Sequence, residues 1–181
     1  MVDTRRGPRR TLSEQAILDA ALALLAELGA DRVSIRGIAT RVGIAPNAVY
    51  TYFPDKAAVL AGVAEQLVGR VDAARFTGPA RSWRERAHAV AAALRTELLA
   101  HPGAVHLLLT SPMTGEHATT LGATVLTIMT DAGLAHEDAA RAAHLLNVHV
   151  LGSVALTTDG ADDQFRWGLD RLFDGIAAHT P

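Results

Sequence analysis

Eight histidines are the first place to look for chemistry in this chain of 181 residues. His101 and His106 are five apart in sequence, as are His144 and His149. On a helix that spacing turns the two rings well past a right angle from each other. Zinc-binding helices instead use i, i+4 with a third ligand nearby. His136-Glu137-Asp138 lacks the second His of an H-E-x-x-H pair. There is no G-x-S-x-G elbow, no Walker loop and no G-x-G-x-x-G turn. The absence of cysteine removes both disulfides and thiolate metal sites. The expectation is a binding protein without catalytic residues, metal or cofactor.

A different chemistry is carried by the stretch from Val33 to Lys56. Asn47 is of a type that reads base edges, and Tyr50, Thr51 and Tyr52 offer hydroxyls to phosphates. Those residues need an element that exposes them. Ile35, Ile38, Ala39 and Val42 fall at i, i+3, i+4, i+7 and predict a short helix over Ser34–Val42. Gly43 stops it, since glycine tolerates the left-handed turn at a helix end. A second short helix begins near Ala45, with Pro46 in its first turn and Pro54 closing it. Ala48, Val49 and Phe53 face inward. Two short helices about a tight glycine turn make a helix-turn-helix, whose second helix enters a DNA major groove.

Charge agrees with that placement. The net charge is −2 overall, but residues 1–56 carry eight Lys/Arg against six Asp/Glu, while 57–181 carry nine against thirteen. The basic excess sits beside the helix-turn-helix, where phosphates require it. Arg5, Arg6, Arg9 and Arg10 form a basic arm that either is a solvated tail or adds contacts to DNA. Thr11-Leu-Ser-Glu14 reads as a capping box opening a first helix that Gly29 ends. Ile17, Leu18, Ala21, Leu24, Leu25 and Leu28 form its inward stripe. It must supply the core for the two helices that follow, which are too short to stand alone.

The same stretch resembles the TetR family of bacterial transcriptional regulators. The resemblance rests on Tyr50-x-x-Phe53 followed by Asp55-Lys56 and runs without a gap from about Thr11 to Leu60. It implies DNA contacts from Ser34 and Arg36 at the start of the second helix, with Arg36 on a guanine. It further implies contacts from Pro46, Asn47, Ala48, Tyr50, Thr51 and Tyr52 along the recognition helix and from Lys56 at a phosphate. The alternative for such a segment is a helical hairpin used only for packing.

The rest of the chain reads as helices. Asp55-Lys56 starts a fourth, striped by Val59, Leu60, Val63, Leu67 and Val71 and expected to reach about Ala74. A loop at 76–80 leads to a second capping box, Ser82-Trp-Arg-Glu85, and a helix to about Ala100. Val105–Thr110 is a short helix. Glu116–Ala132 has the composition of a strand but the helical period in Leu121, Val125, Ile128 and Met129. Glu137 to about Thr158 is apolar on nearly every side, so it must be buried on nearly every side. One face then packs on its own core and the other on a second subunit, with Gly152, Ser153 and Ala155 allowing close approach. Asp162 and Asp163 cap a last amphipathic helix bearing Phe165, Leu169, Leu172, Phe173 and Ile176. The fold expected is all-α: a basic arm and helix-turn-helix head over residues 1–55, then a larger helical body over 56–181 for effector binding and dimerisation.

Trp83, His101-Pro-Gly, Ala132-Gly-Leu and Phe165-x-x-Gly-Leu-Asp-Arg-Leu-x-Asp-Gly175 resemble the C-terminal domain of the tetracycline-repressor branch. That likeness implies a four-helix bundle between two subunits. Where the branch places a polar His, Asn and Arg around drug and metal, the matching positions here are Asp72, Val90 and Ser111. Its metal-binding His falls at Leu107, one place from His106.

His144 and Asn147, three apart on an otherwise apolar helix, are either core polar groups bonded to backbone or polar anchors in an apolar ligand cavity. Leu94, His106, Thr110, Met113, Val125, Met129 and Leu151 are the companions expected in the second case, although Met is often core filler. No apolar run reaches transmembrane length and no h-region follows the N-terminal arginines, so a soluble cytoplasmic protein is expected. The reading is a homodimeric DNA-binding transcriptional regulator, a repressor released from a palindromic operator in double-stranded DNA by a small apolar effector. Its rivals are a ligand-independent DNA-binding protein with a closed body and an enzyme that uses the helix-turn-helix only for packing.

Overall fold

The computed structural model describes residues 13–101, 103–156 and 160–178. The described residues form helices and turns without strands. The helices are α1 (Glu14–Leu28), α2 (Ile35–Val42), α3 (Pro46–Val49), α4 (Lys56–Gly69), α5 (Trp83–Ala100), α6 (Ala104–Thr110), α7 (Glu116–Asp131), α8 (His136–Ala155) and α9 (Ala161–Ala177). The basic arm, Thr11 and Thr158 lie outside the described residues. Among these helices, none is long and apolar enough to cross a membrane.

The first helix starts on Ser13, whose Oγ accepts the Ala16 N–H at 3.2 Å. Ile17, Ala21 and Leu25 of α1 are buried against α2 and α4, which bring Ile38, Ala39, Val59 and Val63 to the same core. Ser34 caps α2 in the same way, its Oγ accepting from Gly37 N at 3.1 Å. Gly43 ends α2 at φ 83, a left-handed conformation that costs a side-chain-bearing residue dearly and glycine nothing. The α3 helix is only one turn long. Its chain then continues through Tyr52 N–H and Phe53 N–H bonds to the Val49 carbonyl, which put Phe53 into the core.

Where the expected boundaries fail, a competing local bond explains it. The apolar period predicts α4 to Ala74, but the helix ends at Gly69. Asp72 turns its carboxylate onto the Ala74 N–H at 3.1 Å and starts a 3-10 turn over Ala73–Phe76. Asp162 does not cap α9, which starts from Gly160; it pairs with Arg95 Nη1 at 2.6 Å and fastens α9 to α5. Arg95 also lies over the Phe165 ring, 4.8 Å from its centroid.

The capping box at α5 is complete. Ser82 Oγ accepts the Glu85 N–H at 3.3 Å, and Glu85 Oε2 accepts the Ser82 N–H at 2.8 Å. Hydrogen bonds from the Ser82 side chain and backbone hold the Glu85 carboxyl below the usual carboxylate range. Ser82→Ala is expected to cost about 1 kcal/mol, or a melting point lower by about 2–4 °C. A depressed carboxylate stabilises above its unfolded pKa, so the deficit should shrink as pH falls through the folded value. Calorimetry at neutral pH and in acid checks both, and an unchanged melting point at neutral pH would deny the box any weight.

The α8 face left over by this packing is apolar. Ala139, Ala142, Leu146 and Val150 are buried, whereas Leu145 and Val148 are 54% and 52% exposed. On the neighbouring α9, Phe165, Leu169 and Phe173 point into the core and Trp167 is 67% exposed.

Candidate DNA-contacting face and effector cavity

Burying Val49 and Phe53 leaves the other sides of α3 and its following turn outside. Pro46, Asn47, Tyr50, Thr51 and Tyr52 are exposed and Ala48 is half-buried. Arg36 is exposed on α2, and among the described residues its guanidinium has no hydrogen-bonding partner. Ser34 is exposed but spends an oxygen lone pair as the α2 cap. Lys56 is half-buried, with Nζ donating to the Ala30 carbonyl at 3.3 Å, which leaves two of its three donors. By contrast, Arg41 forms a two-pronged pair with Glu27, at 2.7 Å and 2.5 Å, and ties α2 to α1. The hydrogen bond from Arg41 holds the Glu27 carboxyl below its ordinary range.

A second feature lies between α4, α5, α7 and α8: a cavity of about 300 Å³. Leu94, Met113, Val125, His144, Asn147 and Leu151 line it, as the sequence reading expects. Three expected companions are elsewhere. Met129 is wholly buried in the core, one turn further along α7 than the cavity. His106 is exposed, because Ala104 and Leu107 take the buried side of α6. Thr110 is also exposed, its hydroxyl donating to the His106 carbonyl at 2.9 Å.

Val68, Leu108, Leu109, Ala118 and Gly122 also line the cavity and were missed. Gly122 was legible as a gap in an apolar face; a Cβ there would meet nothing within 4 Å. His144 and Asn147 are the polar side chains of the lining, and among the described residues neither has a hydrogen-bonding partner. They are exposed rather than bonded to core backbone, which removes that alternative.

Two other histidines have structural tasks. His101 places Nδ1 2.8 Å from the Glu97 carbonyl and Nε2 2.9 Å from Arg70. His149 bonds the Phe165 carbonyl at 2.9 Å and stacks on its ring. Among the described residues, no three His, Asp or Glu side chains gather as a metal site.

A short helix, a left-handed glycine turn and a recognition turn seated on a three-helix core define a helix-turn-helix protein with a ligand-sized cavity behind it. Residues 17–63 match the family described as bacterial regulatory proteins, tetR family, and residues 77–157 match the tetracyclin repressor-like C-terminal domain. The chain belongs to the TetR family, whose members are transcriptional regulators and not enzymes.

An HTH-type transcriptional regulator of Saccharopolyspora erythraea is 31% identical over 144 residues, which are 80% of this chain and 60% of that one. The class D tetracycline repressor protein of Escherichia coli is 29% identical over 144 residues, 79% of this chain and 65% of that one. The chain therefore spans less than two-thirds of the length of either relative. Among solved structures, BioQ with its double-stranded DNA operator is 27% identical with a TM-score of 0.79, covering 93% of this chain and 100% of that one. A single-substitution variant of TetR from Acinetobacter baumannii AYE in complex with minocycline is 26% identical with a TM-score of 0.84, covering 94% and 99%.

Proposed function

We propose that this chain is a homodimeric repressor that holds an inverted-repeat operator and lets go when a small, largely apolar molecule fills the α4–α8 cavity. Residues 1–55 serve as the DNA-binding head and 56–181 as the effector and dimerisation body. One observation carries the reading: α4 belongs to both sites. Its first residue, Lys56, reaches the Ala30 carbonyl beside the helix-turn-helix, and Val68 near its end lines the cavity. A helix of this length spans about 20 Å and is stiff, so displacement at one end is felt at the other. Glu65 strengthens the link. Its carboxylate accepts the backbone N–H groups of His117 and, at 3.2 Å, Ala118, fastening α4 to the start of the cavity helix α7. An effector that prefers one setting of α4 shifts the separation of two paired recognition helices, and thereby the fit to successive major-groove faces.

The lining supports an apolar, metal-independent effector. Val90 is an apolar wall, while Asp72 and Ser111 lie outside the lining, Leu107 is buried core and His106 is exposed. Among the described residues, no ring of oxygen or imidazole donors faces the cavity, which a divalent ion would need. His144 and Asn147 remain to orient a ligand by one or two hydrogen bonds.

The experiment is a thermal-shift screen of apolar small molecules followed by DNA release with each hit. A ligand present at a hundred times its Kd should stabilise the protein by about 2.7 kcal/mol. Gly122→Trp, which grows into open space in the cavity wall, should keep operator binding and lose both the shift and the release. Hits that stabilise without releasing DNA would favour the ligand-independent reading. Release by tetracycline with magnesium, abolished by a chelator, would overturn the metal-independent one.

A further inference from the structure

A larger groove of about 860 Å³ runs along the other side of α7 and has no part in the function proposed above. Its walls are the 76–81 segment, Arg86 of α5, and the α7 residues Thr120, Ala123, Thr124 and Thr127. None of its lining residues is on α8 or α9, so pairing of subunits through those helices leaves it open. It shares no residue with the effector cavity, which takes Ala118, Leu121, Gly122 and Val125 from α7.

Arg86 marks the groove as a built site. Its side chain is 7% exposed, and Nη2 pairs with Asp131 Oδ2 at 2.7 Å. A guanidinium carries five N–H donors. Here Nε is buried without a partner, and among the described residues Nη1 has none either. Sinking a cation with its Nε donor unanswered is costly, and a further acceptor on the open Nη1 offsets part of that cost. Asp131, at 48% exposure, is a solvent-weakened counter-charge. With Arg81 at the rim, the groove holds two cations against one carboxylate. Thr124 and Thr127 donate their hydroxyl protons to the Thr120 and Ala123 carbonyls, which leaves the arginines as the donors for an anion. Phe76, Pro79 and Ala123 supply apolar wall.

We propose that this groove is a second ligand site, which takes a small organic carboxylate. The carboxylate meets the unanswered Nη1 donors of Arg86, with Arg81 at the entrance, and the apolar body lies along Phe76, Pro79 and Ala123. Arginine is the side chain whose planar fork matches a carboxylate, and an ionised acceptor roughly doubles each hydrogen bond.

The test is titration calorimetry of the full chain with benzoate, 4-phenylbutyrate and octanoate, each against its neutral amide, in wild type and in Gly122→Trp. Saturable binding of at least one acid is expected, with its amide weaker by about tenfold or more. Arg86→Gln and, independently, Ala123→Trp should each weaken that acid by a similar factor. Ala123 is exposed, so its replacement fills the groove without entering the core. Gly122→Trp should leave the affinity unchanged. No saturable binding by any of the acids, equal binding of the amides, or indifference to both groove variants overturns the proposal. Loss on Gly122→Trp alone also overturns it, because the acid would then sit in the effector cavity.

Discussion

Gly152→Trp is expected to give a folded single-chain species that no longer holds operator DNA. Leu145, Val148, Gly152 and Leu156 fall at i, i+3, i+7 and i+11, one stripe of α8 and its end. Leu145, Val148 and Leu156 are 54%, 52% and 78% exposed within one protomer, and Trp167 of α9 adds a large apolar surface at 67%. So contiguous an apolar face on a protomer marks an interaction surface, and a symmetric pair buries it against itself. A Cβ at Gly152 would meet nothing within 4 Å, so the indole has room in the protomer and none in a close helix pair. Glycine inside a helix is less favourable than other residues by up to about 1 kcal/mol, so the fold itself should not suffer. Linking two heads raises avidity by about 10²–10⁴ over one, and the variant should forfeit a factor of that order at the operator. Light scattering at micromolar concentration, with circular dichroism to confirm helicity, reads the outcome. A wild-type mass of one chain would end the dimer reading, and a variant that stays dimeric would move the interface elsewhere.

What the sequence shows of this molecule follows from how local each signal is. Gly43 stops α2 and Ser82-Glu85 starts α5 because glycine sterics and a reciprocal cap act within a few residues. The apolarity of α8 predicted surface beyond what its own core covers, because burial demand is a property of the helix alone, and Leu145 and Val148 are such surface. The end of α4 was hidden: its apolar period runs on through Val71, but the Arg70 and Val71 N–H groups tighten onto the Leu67 and Val68 carbonyls and Asp72 then caps a new turn. His106 was placed one turn face wrong because Leu107, Leu108 and Leu109 make every side of α6 look equally apolar. Only packing shows that Ala104 and Leu107 face inward. Met129 shares its helix and its period with the cavity residues, and depth along α7 separates them. The Arg86–Asp131 pair joins residues 45 apart in sequence, a distance at which no pattern speaks.

Arg36→Ala and Lys56→Gln should weaken DNA binding in two different ways. Arg36 is exposed on α2, and its guanidinium has no partner among the described residues, so nothing in the protein competes for it. An arginine that meets O6 and N7 of guanine discriminates by about 1–3 kcal/mol against the wrong base. Arg36→Ala should therefore lose about 5- to 150-fold on the operator, relax the preference at one base pair and barely change random DNA. Lys56 is placed for a different role. Its Nζ already donates to the Ala30 carbonyl, and a flexible ammonium suits a phosphate oxygen better than a base edge. Glutamine at that position retains a donor for Ala30 while removing the charge, which separates loss of phosphate contact from loss of the tie. Lys56→Gln should weaken specific and random DNA alike and lower the slope of log K against log salt by about one unit. Binding measured across a salt series on operator, single-base variants and random duplex distinguishes the two. If Arg36→Ala costs the same on every duplex, Arg36 is a phosphate contact and base reading falls to Asn47 and the recognition turn.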